Sequence, residues 1–151
     1  MADDLTERCR RVAASCAATR IHQAARVVAQ HYDGAMRAAG LGRTQFTVLV
    51  ASTVAGPEGV PLTALARLLF LDRTALSRTL GPLEKAGLVR TRRPGDDARV
   101  RLVQITPAGS RRLARALDLW EKAQASFQSR AGEGWPETHA RLGRLVEALT
   151  R

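Results

Sequence analysis

The chain is poor in the residues that catalysis, metal binding and disulfide bonding require. Its 151 residues include two cysteines (Cys9 and Cys16), three histidines, one tyrosine and an aromatic share of 4%. Two cysteines cannot build a disulfide framework, and a reducing cytoplasm is the expected compartment. His22, His31 and His139 are scattered, with no HExxH or CxxC around them. No set of three or four converging metal ligands is therefore expected. GxSxG, GxxxxGKS/T and GxGxxG are all missing, so neither an enzyme nor a bound cofactor is expected. No apolar run reaches the roughly 18 residues of a spanning helix. The opening Met1-Ala-Asp-Asp-Leu-Thr-Glu lacks the basic and apolar regions of a secretion signal. No membrane partner is expected.

Lysine is nearly absent, and arginine takes its place. Of 24 Lys+Arg only Lys85 and Lys122 are lysine, against 14 Asp+Glu, for a net charge of +10. A basic excess of this size points to a polyanion, nucleic acid before membrane surface. It is also uneven. Eight arginines and two aspartates lie between Leu88 and Arg115, so these 28 residues hold +6 of the total. Hydrophobic residues make up 45%, enough for a packed core in one domain with a pairing arm.

From Leu5 to about Ala39 apolar residues recur three to five apart, the stripe of one long amphipathic helix ended by Gly40 and Gly42. Thr44 is the expected N-cap of a second helix, Gln45 to Ala55, and Gly56-Pro57-Glu58-Gly59 is a turn. Leu62, Leu65, Ala66 and Leu69 mark a short helix. After Phe70-Leu71, Asp72 can cap another beginning at Arg73, with Leu76, Leu80 and Leu83 inward, Pro82 bending its last turns and Gly87 at C′. Two short helices so tightly joined form a helix-turn-helix candidate. The period then changes to two. Residues 88–93 and 100–105 read as strands around a polar tip, 94–99. Thr106 and Pro107 open a long helix to about Arg130. Gly132, Gly134 and Pro136 break it, and a last helix carries Leu142, Leu145, Val146 and Leu149.

The expected fold is mainly α: a winged helix-turn-helix with a β-hairpin wing over residues 40–105. Terminal helices, 1–39 and 106–151, carry more apolar face than one small domain needs, and pairing with a second copy would use it. On the helix from Arg73, residues Thr74, Ser77, Arg78 and Gly81 share the face opposite the leucines. Arg78 can pair bidentately with guanine, Thr74 and Ser77 can reach bases or phosphates, and Arg73 and Lys85 suit the backbone. In the wing, Arg92 and Arg93 lie beside a tip holding Asp97 and Arg99, where the carboxylate can orient the guanidinium toward a narrow minor groove. Cys9 and Cys16, seven apart on one helix face, are too distant to bridge each other. They read as buried small apolar residues, or as thiols open to oxidation.

Four segments in order resemble the MarR family of bacterial winged helix-turn-helix transcriptional regulators. Leu71-Asp-Arg-Thr-Ala-Leu-Ser-Arg-Thr-Leu80 is similar to that family's recognition helix, and Gly81-Pro-Leu-Glu-Lys-Ala-Gly-Leu-Val89 to its exit into the wing. Asp97-Ala-Arg99 and Ile105-Thr-Pro-Ala-Gly109 resemble the wing tip and the entry to the long dimerisation helix. Arg26, Tyr32-Asp33 and Gln45-Phe46 are similar to the upstream pattern, and Phe70 departs from it where glycine is common. The resemblance implies a homodimer with interlocked terminal helices on a double-stranded, pseudo-palindromic DNA operator. It implies a repressor relieved by a small ligand or by oxidation, and it favours the minor-groove role for Arg99. It also implies an effector pocket where the dimerisation helices meet the winged helix. His22, Arg26, His31, Tyr32 and Phe46 are candidate lining residues for a small aromatic or anionic effector. Two alternatives stay open: a thiol-based redox switch using Cys9 or Cys16, and sequence-independent architectural DNA binding.

Overall fold

The computed structural model of the chain describes residues 2–94 and 100–150. Seven helices and three short strands follow one another: α1 (Ala2–Ser15), α2 (Ala17–Ala38), α3 (Arg43–Val54), β1 (Val60–Pro61), α4 (Leu62–Leu69), α5 (Arg73–Lys85), β2 (Val89–Arg92), β3 (Leu102–Ile105), α6 (Pro107–Ala131) and α7 (Trp135–Leu149). The expected single N-terminal helix is instead two. Cys16 takes an extended conformation (φ −68°, ψ 107°) and turns the axis between α1 and α2. Neither glycine nor proline marks the break. Its N–H still donates to the Val12 carbonyl, and its own carbonyl still accepts from Arg20. The helical pattern therefore reads on through it. Cys9 consequently sits within α1, whereas Cys16 is the residue between α1 and α2.

The cap of α3 is also displaced. Gly42, not Thr44, stands at its N-cap, and its N–H donates to Gln45 Oε1 at 2.8 Å; Thr44 lies within the first turn. The helix stops at Val54, one residue short of the expected end. The α2 end is a Schellman closure: Gly40 (φ 67°) donates to Arg37 and Leu41 to Met36. At the end of α5, Gly87 and Leu88 repeat it on Glu84 and Leu83. The strands are shorter than their apolar runs, because pairing extends only from Val89↔Ile105 to Arg92↔Leu102. A third strand, unexpected from the sequence, joins them. Val60 and Pro61 pair with Val103 and Leu102, giving the antiparallel order β1-β3-β2. Two residues show no period, and proline is tolerated because the strand is an edge.

The core lies where α3, α4, α5 and α6 meet this sheet. Val48, Leu49, Leu65, Leu76, Leu83 and Val103 are essentially inaccessible, each burial stabilising by about 1.5–3 kcal/mol. Asp72 Oδ1 accepts from Ala75 N at 2.8 Å and Thr106 Oγ1 from Gly109 N at 3.0 Å, so the caps expected at α5 and α6 form. Outside this core α2 packs along α6. The terminal helices bury far less: Leu5, Val12, Leu142, Leu145, Val146 and Leu149 are all exposed. None of the described helices is long and apolar enough to cross a membrane.

Phe70 closes α4 in the left-handed region (φ 50°) and is 68% exposed. It performs the closure that Gly40 and Gly87 perform elsewhere, with Leu71 N–H donating to the Ala66 carbonyl at 3.0 Å. A residue with a Cβ is strained there by about 1–2 kcal/mol, and an exposed ring recovers little of it. Phe70→Gly is therefore expected to raise stability by about 1 kcal/mol in urea denaturation. A fall in stability would show that the ring packs more than its exposure indicates.

Candidate nucleic-acid interface

Helix α5 divides cleanly by chemistry. Leu76 (1% exposed), Leu80 and Leu83 face the core, whereas Arg73, Thr74, Ser77, Arg78 and Gly81 are exposed together. The stripe follows from the helical period, and the Asp72 cap fixes where it starts. Among the described residues no acid pairs with Arg73, Arg78 or Lys85, so the face carries net positive charge. Ser77 Oγ donates to the Arg73 carbonyl at 2.8 Å, which leaves its lone pairs as acceptors on the outer face. A narrow convex ridge of small hydroxyls and one long arginine suits the width of a DNA major groove.

In the wing the arginines part company. Arg92 Nη2 donates to Glu58 Oε2 at 2.7 Å, and its Nε is buried without a hydrogen-bond partner among the described residues. Its cation is thus partly neutralised by the turn before β1. Arg90 Nε donates to Gln104 Oε1 at 2.9 Å across the sheet, while Arg93 is exposed. Asp97 and Arg99, placed at the tip by the sequence, lie outside the described residues.

A groove of 480 Å³ opens where α2, α3 and α6 meet. Phe46 and Trp120 form its flat walls, their rings 6.5 Å apart and inclined by 23°. Tyr32 donates to Gln124 Oε1 at 2.5 Å, and burial pushes its phenol pKa up. Arg43 lies at the rim, with its Nε 3.2 Å from Asp33 Oδ1. Of the five residues considered for an effector pocket, Tyr32 and Phe46 line this groove. His31 turns away, its Nε2 2.9 Å from the Ala123 carbonyl and its ring edge-on to Tyr32. His22 and Arg26 are exposed on α2 outside the lining. Arg43 and Gln124 were not among the candidates, and Trp120, which the sequence assigns to a dimer core, lines the groove instead. Two signals pointed to them: Arg43 precedes Phe46 by three residues, and Trp120 precedes Gln124 by four, each pair on one helix face.

Within the single chain Cys9 is exposed and Cys16 half-buried. The Thr19 hydroxyl, followed by the Thr19 and Ala18 amides at the start of α2, holds the Cys16 thiol below its ordinary pKa. Among the described residues no group of three or more His, Cys, Asp or Glu is placed to hold a metal ion.

Comparison with known proteins agrees with this architecture. Residues 39–100 match the family model of the MarR family. The crystal structure of the transcriptional regulator MosR from M. tuberculosis aligns at 29% identity and a TM-score of 0.78, over 90% of this chain and 96% of that one. MosR in complex with DNA aligns at 31% identity and 0.78, over 90% and 97%. The PcaV regulator of Streptomyces coelicolor, solved with its natural ligand, shares the fold at 22% identity and 0.68, over 89% and 91%. No curated protein sequence matches. Four helices around a three-stranded wing, an uncompensated basic α5 and a 31% identical DNA-bound relative spanned almost end to end converge on one assignment: the chain belongs to the MarR family of DNA-binding transcriptional regulators.

Proposed function

We propose that the protein is a dimeric repressor that grips a pseudo-palindromic operator through α5 and releases it when a small aromatic or anionic molecule enters the α2/α3/α6 groove. The groove carries this reading. It combines parallel aromatic walls, a phenol and an arginine at the junction of the terminal helices with the winged helix. Those groups suit a flat acid: the ring packs beside the Phe46 and Trp120 faces, and the carboxylate meets Arg43. Occupancy changes the angle between α2 and α3, and thereby the spacing of two α5 helices in a dimer. Exposed leucines along α1 and α7 support the dimer, since a second copy is the economical cover for them. MosR is solved on DNA, and PcaV with a natural ligand.

Cys16 supports a second reading, in which oxidation of its thiol at the α1–α2 break drives release. A lowered pKa and partial exposure both favour thiolate chemistry. One footprinting series separates the two. The full chain is incubated with DNA from upstream of its own gene, with aromatic acids or with peroxide, alongside Cys16→Ser and Trp120→Ala variants. Release by an aromatic acid that Trp120→Ala abolishes and Cys16→Ser retains supports the ligand mechanism. Release by peroxide alone, lost in Cys16→Ser, overturns it in favour of the thiol. Equal protection of operator and random DNA overturns both and leaves architectural binding.

A further inference from the structure

The arginine of the α2/α3/α6 groove is already paired. Arg43 Nε lies 3.2 Å from Asp33 Oδ1, so the cation open to a ligand's carboxylate meets a carboxylate of the protein first. The two partners straddle the rim: Arg43 lines the groove and Asp33 stands outside the lining. Their pair joins α2 to the first residue of α3, and among the described residues no other ion pair or hydrogen bond links those two helices. The fastening of α2 to α6 is different. His31 Nε2 lies 2.9 Å from the Ala123 carbonyl, Tyr32 donates to Gln124 Oε1, and Arg112 Nη1 donates at 3.1 Å to the Ala39 carbonyl at the α2 cap. Loss of the Asp33–Arg43 pair leaves these contacts in place and frees only the start of α3.

A ligand carboxylate set against Arg43 stands beside Asp33. Like charges at that range repel, and the two carboxylates compete for one guanidinium. A neutral ligand of the same shape can fill the space beside Phe46 and Trp120 and leave the pair whole. Arg43 and Asp33 keep 48% and 35% of their side chains open to solvent, so water weakens their attraction and a second anion can break it. Beyond its first turn α3 packs against α5, so a shift at Arg43 reaches the helix proposed to read DNA. We propose that the Asp33–Arg43 pair is a latch holding α3 in the setting that binds DNA. The effector's carboxylate opens it by taking Arg43 from Asp33, which makes Asp33 the residue that confines release to anionic ligands. The switch rests on the effector reading of the groove, whereas the latch itself can be measured without a ligand.

Operator titrations of the full chain test both, with Asp33→Asn, Arg43→Gln and the double variant beside the parent. Without ligand, each single substitution should lower operator affinity by about three- to twentyfold for a dimer, and the double variant should fall no further. Asp33→Asn is the sharper arm, because removing a negative charge would otherwise favour DNA. Benzoate should release the parent, whereas benzamide should bind it in calorimetry without releasing the operator. Asp33→Asn, freed of the competing carboxylate, should bind benzoate at least about threefold more tightly. The latch falls if Asp33→Asn keeps the parent's operator affinity, or if the two single losses add in the double variant. The anion switch falls if benzamide releases the parent as well as benzoate does, or if Asp33→Asn binds benzoate no better. If the parent ignores benzoate and other aromatic acids, the effector reading fails and takes the switch with it, while the ligand-free titrations still decide the latch.

Discussion

Gly109→Ala is expected to destabilise the winged helix by at least about 3 kcal/mol. Gly34→Ala, the same substitution in a different setting, should stabilise it by roughly 0.5–1 kcal/mol. Gly109 lies in the first turn of α6 and is buried against the start of β2. A Cβ built there would lie 2.0 Å from the Leu88 carbonyl oxygen and 2.8 Å from Ile105 Cγ1. The oxygen cannot retreat, because it accepts from Thr106 N at 3.1 Å, while the Thr106 hydroxyl donates to the neighbouring Gly87 carbonyl at 2.6 Å and holds the same segment. The Thr106 hydroxyl also caps α6 through Gly109 N, so a shift of either backbone breaks the cap. Gly34, within α2, offers open space instead: a methyl group added there would meet nothing within 4 Å. Its backbone is already helical, so alanine only reduces the entropy of the unfolded chain. Thermal unfolding should place the Gly109 variant about 10 °C below the parent, with the Gly34 variant above it. Equal midpoints for the two variants would mean that α6 can slide on β2 and that the contact at Gly109 is not rigid.

The contact at Gly109 joins two segments that were each legible in sequence, yet the contact itself was not. Local chemistry exposed the helix-turn-helix: Asp72 can cap only a helix that starts at Arg73, and Leu76, Leu80 and Leu83 repeat at the helical period. Thr106-Pro107 announced α6 in the same way. Features set by distant packing stayed hidden. Val60-Pro61 is a strand only because β3 offers its free edge. Cys16 breaks the N-terminal helix while its own N–H and C=O keep helical partners, so no local signal betrays the turn. Only the approach of α6 to α3 places the Trp120 ring over Phe46, which its position along α6 does not reveal. The exposed polar face of α5 could be found because one helix carries all of it. The groove needs three helices, and the sequence supplied only Tyr32 and Phe46 for it.

Arg78→Ala is expected to lower operator affinity by about thirtyfold to ten-thousandfold while leaving the fold intact. Arg78 is exposed on α5, one turn beyond Thr74, and makes no ion pair or hydrogen bond with any described residue. Its removal therefore costs the free protein almost nothing. A guanidinium that meets guanine O6 and N7 is worth about 1–3 kcal/mol of discrimination at each site. A dimer places one in each half-site, so the losses multiply. Arg73 offers the contrast. At the first position of α5 it suits a phosphate, and Arg73→Ala should weaken operator and random DNA alike and reduce the salt slope by about one for each protomer. Titrations of both variants on operator and random duplexes, at several salt concentrations, separate the roles. Arg78→Ala should collapse the ratio between the two duplexes with little change in slope. If it instead weakens both equally and flattens the salt dependence, Arg78 is a backbone clamp, and the sequence is read elsewhere, by Thr74, Ser77 or the wing.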